Sequence, residues 1–181
     1  MFHAKTVTES GAYAVKLYVN GEPIDIVIDD YFPYDSRPEK DCWMFSRDTT
    51  ENEIWVQILE KAYAKAFGSY EVTEGGKPYQ AFLNLTGFPA DILYHSEIEP
   101  DSLWRIIQMA VRLDLPMVAS VNSLVLGEIA AIKAKGLADH HAYTVLTTLT
   151  VAHEDDGSVV RLIKIRNPYG TRAKREWQNN W

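Results

Sequence analysis

Two polar residues near the end of the sequence, His141 and Asn167, are of types that act together in acid–base chemistry. An imidazole can take a proton from a thiol near neutral pH, and an amide oxygen can hold the ring in one tautomer and one orientation. Cysteine, histidine and asparagine together form a known variant of the catalytic triad. The pair is therefore a candidate for the base and its orienting group beside a thiol nucleophile.

A predicted hairpin brings these two residues to the same end of a β-ladder. The strands are expected at residues 141–152 and 159–167, with Asp156-Gly157 as the turn signal. The two candidates are 26 residues apart, an even number, so a regular antiparallel pair would place both side chains on one side of the sheet. A β-bulge between them would break that parity.

A structural role is the commoner explanation of such a pair when spacing alone is considered. Asn167 before Pro168 is a frequent turn combination, and His141 can form a hydrogen bond at a strand end. Evidence for chemistry must therefore come from the residues around the pair.

The rest of the chain is predicted to alternate hairpins and helices. A hairpin is expected over residues 12–28 around Asn20-Gly21, a short strand near 42–45, helices at 51–67 and 101–113, and a strand at 117–121. A hinge is expected in the glycine-rich stretch 68–78, and residues 123–135 stay ambiguous because Gly127 weakens a helical assignment.

Composition restricts the class of protein. The 181 residues are 46% hydrophobic and 12% aromatic, which predicts a packed core in one domain or two small lobes. A net charge of −7 argues against nonspecific nucleic-acid binding, and no apolar run approaches the roughly 20 residues of a membrane helix. One cysteine excludes an intrachain disulfide and, with no secretory signal pattern at the N-terminus, favours a cytoplasmic location.

Short motifs along the chain resemble the calpain family of cysteine proteases. Residues 136–145 (GLADHHAYTV) resemble the family's histidine motif, and residues 165–170 (IRNPYG) resemble its asparagine motif. Further matches are NEIW at 52–55, LEKAYAK at 59–65, GSYE at 68–71, VIDD at 27–30 and LTG at 85–87. They occur in the family's order and cover nearly the whole chain, so together they are specific although each one is weak.

This resemblance implies an α+β fold: part of a papain-like protease core, with an antiparallel sheet lobe and flanking helices. Residues 1–75 would be the C-terminal remnant of the first lobe, and residues 76–181 would be the second lobe. The implied activity is that of a calcium-dependent cysteine endopeptidase acting on protein substrates. In that activity His141 would be the general base and Asn167 its orienting partner.

The resemblance places the catalytic cysteine on a helix upstream of this whole region. The chain by itself is therefore expected to be inactive, and its partner would be the remainder of the same protease or a separate cysteine-bearing chain. Cys42 echoes the nucleophile motif, but it lies well ahead of the nearest predicted helix, so a half-buried structural cysteine is expected. The alternative is a non-catalytic calpain homologue that acts as a binding or scaffold module.

The resemblance also implies calcium. Glu53 matches a carboxylate of the family's first-lobe calcium site, although Glu53 with Thr50 also fits a helix capping box. The second calcium site draws on acids after the asparagine motif, where residues 171–181 contain only Glu176. Calcium takes six to eight oxygen ligands, so this chain alone is not expected to hold the ion.

Two positions depart from the family pattern. His140 stands where the family usually has glycine. An exposed loop residue is the expected role, and a metal ligand beside His141 is the alternative. Tyr169 stands where the family usually has tryptophan, and its ring is expected to shield the bond between His141 and Asn167 from water.

Overall fold

The computed structural model describes residues 8–39, 42–46, 53–121, 126–152 and 157–169 and divides into two compact units, Met1–Ile92 and Leu93–Trp181. The first unit contains β1 (Ala12–Val19), β2 (Glu22–Asp29), β3 (Tyr34–Asp35), β4 (Cys42–Trp43), α1 (Trp55–Phe67), a 3-10 turn (Tyr70–Thr73) and α2 (Pro78–Thr86). The second contains α3 (Pro100–Arg112), β5 (Met117–Val121), α4 (Leu126–Ala134), β6 (His141–Ala152) and β7 (Val159–Arg166). This mixture of helices and antiparallel strands confirms the α+β class.

The first unit is built on the predicted hairpin. Asn20 and Gly21 both have positive φ, +53° and +86°, as a two-residue turn of type I′ requires, and Val19 pairs directly with Glu22. Alternate residues of β1 point to one side and are buried together with residues of β2 and α1; this core consists of Tyr13, Val15, Leu17, Ile28, Ile58 and Ala62. The hairpin and the helix thus bury each other's apolar face.

Helix α1 begins later than predicted. Its first helical residue is Trp55, and Ile54 occupies the N-cap without a side-chain capping bond. Glu53 therefore precedes the helix and accepts a hydrogen bond from the indole Nε1 of Trp55 at 3.2 Å, and the predicted capping box is wrong. Thr50 lies outside the described residues. The helix ends as predicted at Gly68, whose amide donates to the carbonyl of Ala64.

Helix α2 is not among the helices predicted from the sequence, because it directly follows the glycine-rich stretch that was interpreted as a hinge. It belongs to the first unit, since Leu85 packs on that unit's core and the Asn84 side chain donates to the Tyr63 hydroxyl at 2.8 Å. The two compact units divide after Ile92. The assignment of residues 1–75 and 76–181 to two protease lobes stays a prediction.

The second unit is a three-stranded antiparallel sheet in the order β5-β6-β7, with α3 packed against β6. Strand β5 has the predicted limits, α3 is shifted by one residue, and the ambiguous stretch after it contains helix α4. Arg161 of β7 binds the carboxylate of Asp101 at 2.6 Å and lies over the Trp104 ring, which fixes β7 to the first turns of α3. No helix in the described part of the chain is long and apolar enough to cross a membrane.

The backbone adopts a left-handed conformation at His140, immediately before β6. His140 has φ +48°, in the left-handed region that glycine occupies without steric penalty and other residues rarely adopt. This conformation explains why glycine suits the position, and it sets the direction in which His141 enters the sheet.

Replacing Gly87 tests the packing of α2. A Cβ atom at this position would lie 2.5 Å from Cε1 of Tyr18, on a residue with φ +76°. We expect Gly87→Ala to lower the free energy of unfolding by about 2–3 kcal/mol, because both a clash and a strained backbone result. Gly75→Ala is the control, since a Cβ there meets no atom within 4 Å. Equal stabilities of the two variants in urea denaturation would contradict the packing.

Replacing His140 by glycine should raise the free energy of unfolding by about 1 kcal/mol, because a side chain in the left-handed region costs roughly 1–2 kcal/mol. His140→Ala is the matched control, since it also removes the imidazole but keeps the Cβ atom. Thermal and urea denaturation of both variants measure the difference. A glycine variant no more stable than the alanine variant would show that the backbone there is unstrained.

The ion pair between Asp101 and Arg161 predicts a dependence of stability on pH. The hydrogen bond from the Arg161 guanidinium holds the pKa of the Asp101 carboxyl below its usual range. The folded carboxyl therefore has the lower pKa, so the pair stabilises above the unfolded-state value and is lost as pH falls through the folded-state value. Asp101→Asn and Arg161→Gln should each reduce the amount by which the free energy of unfolding falls on acidification. Urea denaturation between about pH 5 and about pH 2 measures this fall. The double variant should reduce it no further.

Candidate active site

His141 and Asn167 meet at one end of the β6–β7 ladder. His141 is the first residue of β6, and Asn167 directly follows Arg166, the last residue of β7. The imidazole Nε2 lies 2.8 Å from Asn167 Oδ1, and both side chains are half-buried. The structure thus places the two predicted residues in direct hydrogen-bond contact.

A second donor establishes which atom of the Asn167 amide faces the ring. The backbone amide of Tyr169 donates to the same Oδ1 at 3.1 Å, and a backbone N–H requires an acceptor. The atom beside the imidazole is therefore oxygen, so Nε2 of His141 carries the proton that it donates. In the neutral ring the lone pair then lies on Nδ1, which makes Nδ1 the basic nitrogen.

Two tyrosine rings enclose the imidazole. The Tyr169 ring packs over His141 with centroids 4.3 Å apart, at an interplanar angle of 37°. Tyr143 approaches the imidazole edge-on with centroids 4.8 Å apart. The Tyr169 ring therefore contacts the imidazole, while its side chain is 58% exposed, and the shielding of the bond from water stays a prediction.

Tyr143 is the site residue that the sequence prediction missed. Its side chain is 4% exposed, and its hydroxyl accepts a hydrogen bond from the amide of Ala138 at 2.8 Å. It lies two residues after His141 on the same strand, so alternation alone could have placed it on the same side of the sheet. Tyr143 links the histidine strand to the loop that precedes it.

The prediction that His141 and Asn167 share a side of the sheet agrees with their contact, but the reason given for it was wrong. From Ala152 to Thr147 the strands pair in a register that, if continued, would set Asn167 opposite Thr144. A bulge between Val145 and Thr147 shifts the register by one residue. The bulge therefore places the His141 and Asn167 side chains on the same side of the sheet instead of separating them.

His140 is an exposed residue at the rim of this site. Its Nε2 lies 3.5 Å from a carboxylate oxygen of Asp139. No group of three or more histidine, cysteine, aspartate or glutamate side chains that could hold a metal ion occurs among the described residues. The alternative in which His140 ligates a metal thus finds no ligand set in that part of the chain.

Cys42 lies in a different setting from a catalytic thiol. It belongs to the two-residue strand β4, pairs with Asp35 of β3, and is a half-buried free cysteine, as predicted. The next helix in the chain begins at Trp55, so Cys42 does not itself lie in the first turn of a helix, where the N-terminal dipole would stabilise a thiolate.

Glu53 stays a predicted calcium ligand without a described site around it. The residue is exposed, and its carboxylate accepts the indole hydrogen bond of Trp55. One carboxylate supplies at most two of the six to eight oxygens that calcium takes. The residues described here therefore do not by themselves form a calcium site.

The chain is similar to calpains along nearly its whole length. The family pattern "Calpain family cysteine protease" matches residues 1–181. The Calpain-1 catalytic subunit of Mus musculus is 34% identical over 172 residues, which cover 95% of this chain and 23% of the relative. Calpain-type cysteine protease ADL1 of Oryza sativa subsp. japonica is 34% identical over 179 residues, covering 96% and 8%. Calpain-9 of Mus musculus is 33% identical over 172 residues, covering 95% and 24%.

This chain therefore spans about a quarter or less of the length of these relatives. The family pattern nevertheless matches from the first residue to the last, and the motifs around His141 and Asn167 lie within the matched region. The chain belongs to the calpain family of cysteine proteases.

Proposed function

We propose that this chain supplies the general base and the orienting residue of a calpain-type cysteine endopeptidase. The observation that carries the proposal is the bond from His141 Nε2 to Asn167 Oδ1. It leaves the lone pair of the neutral ring on Nδ1, as a base for a thiol requires. The substrates would be proteins, by the family to which the chain belongs.

The proposed reaction is peptide-bond hydrolysis in two stages. His141 Nδ1 takes the proton of a thiol, and the thiolate attacks the carbonyl carbon of the peptide. The resulting imidazolium returns that proton to the amine as the C–N bond breaks, which leaves an acyl-thioester. Water, deprotonated by the same nitrogen, then attacks the thioester, and the proton passes to the departing sulfur. Throughout, Asn167 holds the Nε2 side of the ring.

The thiol in this proposal is not Cys42. The two-residue strand that contains Cys42 provides no helix N-terminus to stabilise a thiolate. We propose that the nucleophile comes from a cysteine-bearing segment outside these 181 residues, either in the same protein or in a separate chain. The chain alone would then not hydrolyse peptides.

Calcium dependence and a cytoplasmic location are proposed from the family resemblance and the cysteine content. Glu53 would contribute one carboxylate to a calcium site whose other oxygens come from outside the described residues. No step of the proposed reaction passes through the metal.

Casein cleavage tests the proposal in two forms of the protein. One is the purified 181-residue chain, and the other is the same chain fused behind the segment that precedes the matched region in the Mus musculus Calpain-1 catalytic subunit. Each is assayed with and without calcium and with a covalent thiol-directed inhibitor. We expect the chain alone to show neither cleavage nor labelling of Cys42, and we expect the fusion to cleave casein.

Within the fusion, His141→Ala should lower kcat/KM by about 10²–10⁴-fold, the usual contribution of a general base. Asn167→Ala should lower it by a smaller factor, while Cys42→Ala and the exposed-residue control His95→Ala should leave it unchanged. A folded fusion without activity would favour the alternative, a non-catalytic binding or scaffold module. Cleavage by the chain alone that is lost in Cys42→Ala would instead make Cys42 the nucleophile.

A further inference from the structure

We propose that Tyr143 is a positioning residue that forces the bulge at Leu146 and so selects, between two registers of the β6–β7 ladder, the one that joins His141 to Asn167. The inference rests on the proposed function for its catalytic meaning, but its geometry can be tested without any activity.

The two halves of the ladder are out of step by one residue. In the half near the turn, pairing runs regularly from Ala152 with Val159 to Thr147 with Lys164. In the half near the site, Val145 pairs with Ile165 and Thr144 with Arg166, so the register skips Leu146. Continued past Arg166, the second register sets Asn167 opposite Tyr143, on the side that also carries His141.

A regular ladder would separate the two candidate residues. Without the skip, Leu146 would pair with Ile165, and Asn167 would lie opposite Thr144. Thr144 is adjacent to Tyr143 in the strand, so its side chain points to the opposite side of the sheet from His141. The imidazole and the amide would then have the sheet between them, and their bond could not form.

Two contacts, one in each half of the ladder, require the skip. Near the site, Tyr143 is buried and its hydroxyl is bound to the amide of Ala138. Near the turn, Arg161 is paired across the ladder with Thr150 and is bound to Asp101 of α3. With the bulge, Tyr143 and Arg161 lie on the same side of the sheet; in a regular ladder they would lie on opposite sides.

The bulged residue itself contributes little to packing, since Leu146 is 42% exposed. Its removal has a specific consequence. Without Leu146, Val145 stays opposite Ile165 and Thr147 stays opposite Lys164, but the ladder between them becomes regular. The deletion therefore keeps the register that joins His141 to Asn167 and eliminates the competing one.

The experiment is nuclear magnetic resonance of the histidine rings in the full 181-residue chain. It measures the hydrogen-exchange rate of the His141 Nε2 proton and the cross-peaks between the His141 and Tyr169 rings. Asn167→Ala identifies the bonded signal by its loss. We expect Tyr143→Ser to speed exchange of that proton at least about tenfold and to remove the cross-peaks, because the regular register becomes accessible. Tyr94→Ser, at an exposed tyrosine of the same unit, should change neither.

The deletion of Leu146 separates a positioning role from a general loss of packing. We expect the deletion alone to keep both signals, and the double variant, Tyr143→Ser with Leu146 deleted, to regain them. The proposal is overturned if Tyr143→Ser keeps the bond, if the deletion alone abolishes it, or if the double variant stays without it. Should Tyr143→Ser fail to fold, the single deletion and the folding of the double variant decide the matter.

The same measurements keep this inference distinct from the proposed function. A wild-type chain that shows both signals and responds as expected, in a fusion that nevertheless cleaves no casein, would retain the register selection and reject the catalytic role. Activity that survives Tyr143→Ser in full, with the bond lost, would reject the importance of the register for catalysis.

Discussion

The bond between His141 Nε2 and Asn167 Oδ1 depends on a constraint that neither residue supplies, the strict alternation of side chains across a β-strand. Two residues at the end of a long hairpin can meet only if the ladder between them has the right parity. In this chain the register near the turn, if continued, would place the two side chains on opposite sides of the sheet. A single bulge shifts the register by one residue and brings them to the same side. The contact between the two side chains is thus decided several residue pairs away from the imidazole itself.

Contacts in both halves of the β6–β7 ladder stabilise this bulged register. Tyr143 fixes one half of the ladder through burial and through its bond to Ala138, and Arg161 fixes the other half to α3. Because both anchors are on the side of the sheet that carries His141, a regular ladder cannot satisfy both of them. Tyr169 then contributes twice, with its backbone amide to Asn167 and with its ring to the imidazole.

The first unit is organised on different principles. Its core is a short hairpin covered by α1, and α2 packs so closely that Gly87 has a tyrosine ring where a Cβ atom would stand. Neither Cys42 nor Glu53 is drawn into a described cluster of reactive groups. The candidate active site described in this chain therefore lies in the second unit, and the first unit carries the half-buried Cys42 and the exposed Glu53 outside its core.

Local patterns in the sequence determined the hairpin at Asn20-Gly21, the body of α1, the limits of β5 and the motifs that assign the chain to the calpain family. These features depend on turn chemistry and periodicity, which act over a few residues. The predicted start of α1 relied on a capping pattern that the structure does not use, since Ile54 occupies the N-cap. Helix α2 was missed although a proline in its first turn and a left-handed Gly87 at its end are local helix signals. Side-chain identity nominated His141 and Asn167, but only the tertiary structure decided that they meet. Burial of Tyr143 and the binding of Arg161 to α3 fix where the extra residue of the longer strand is placed, and spacing along a chain carries no information about that choice.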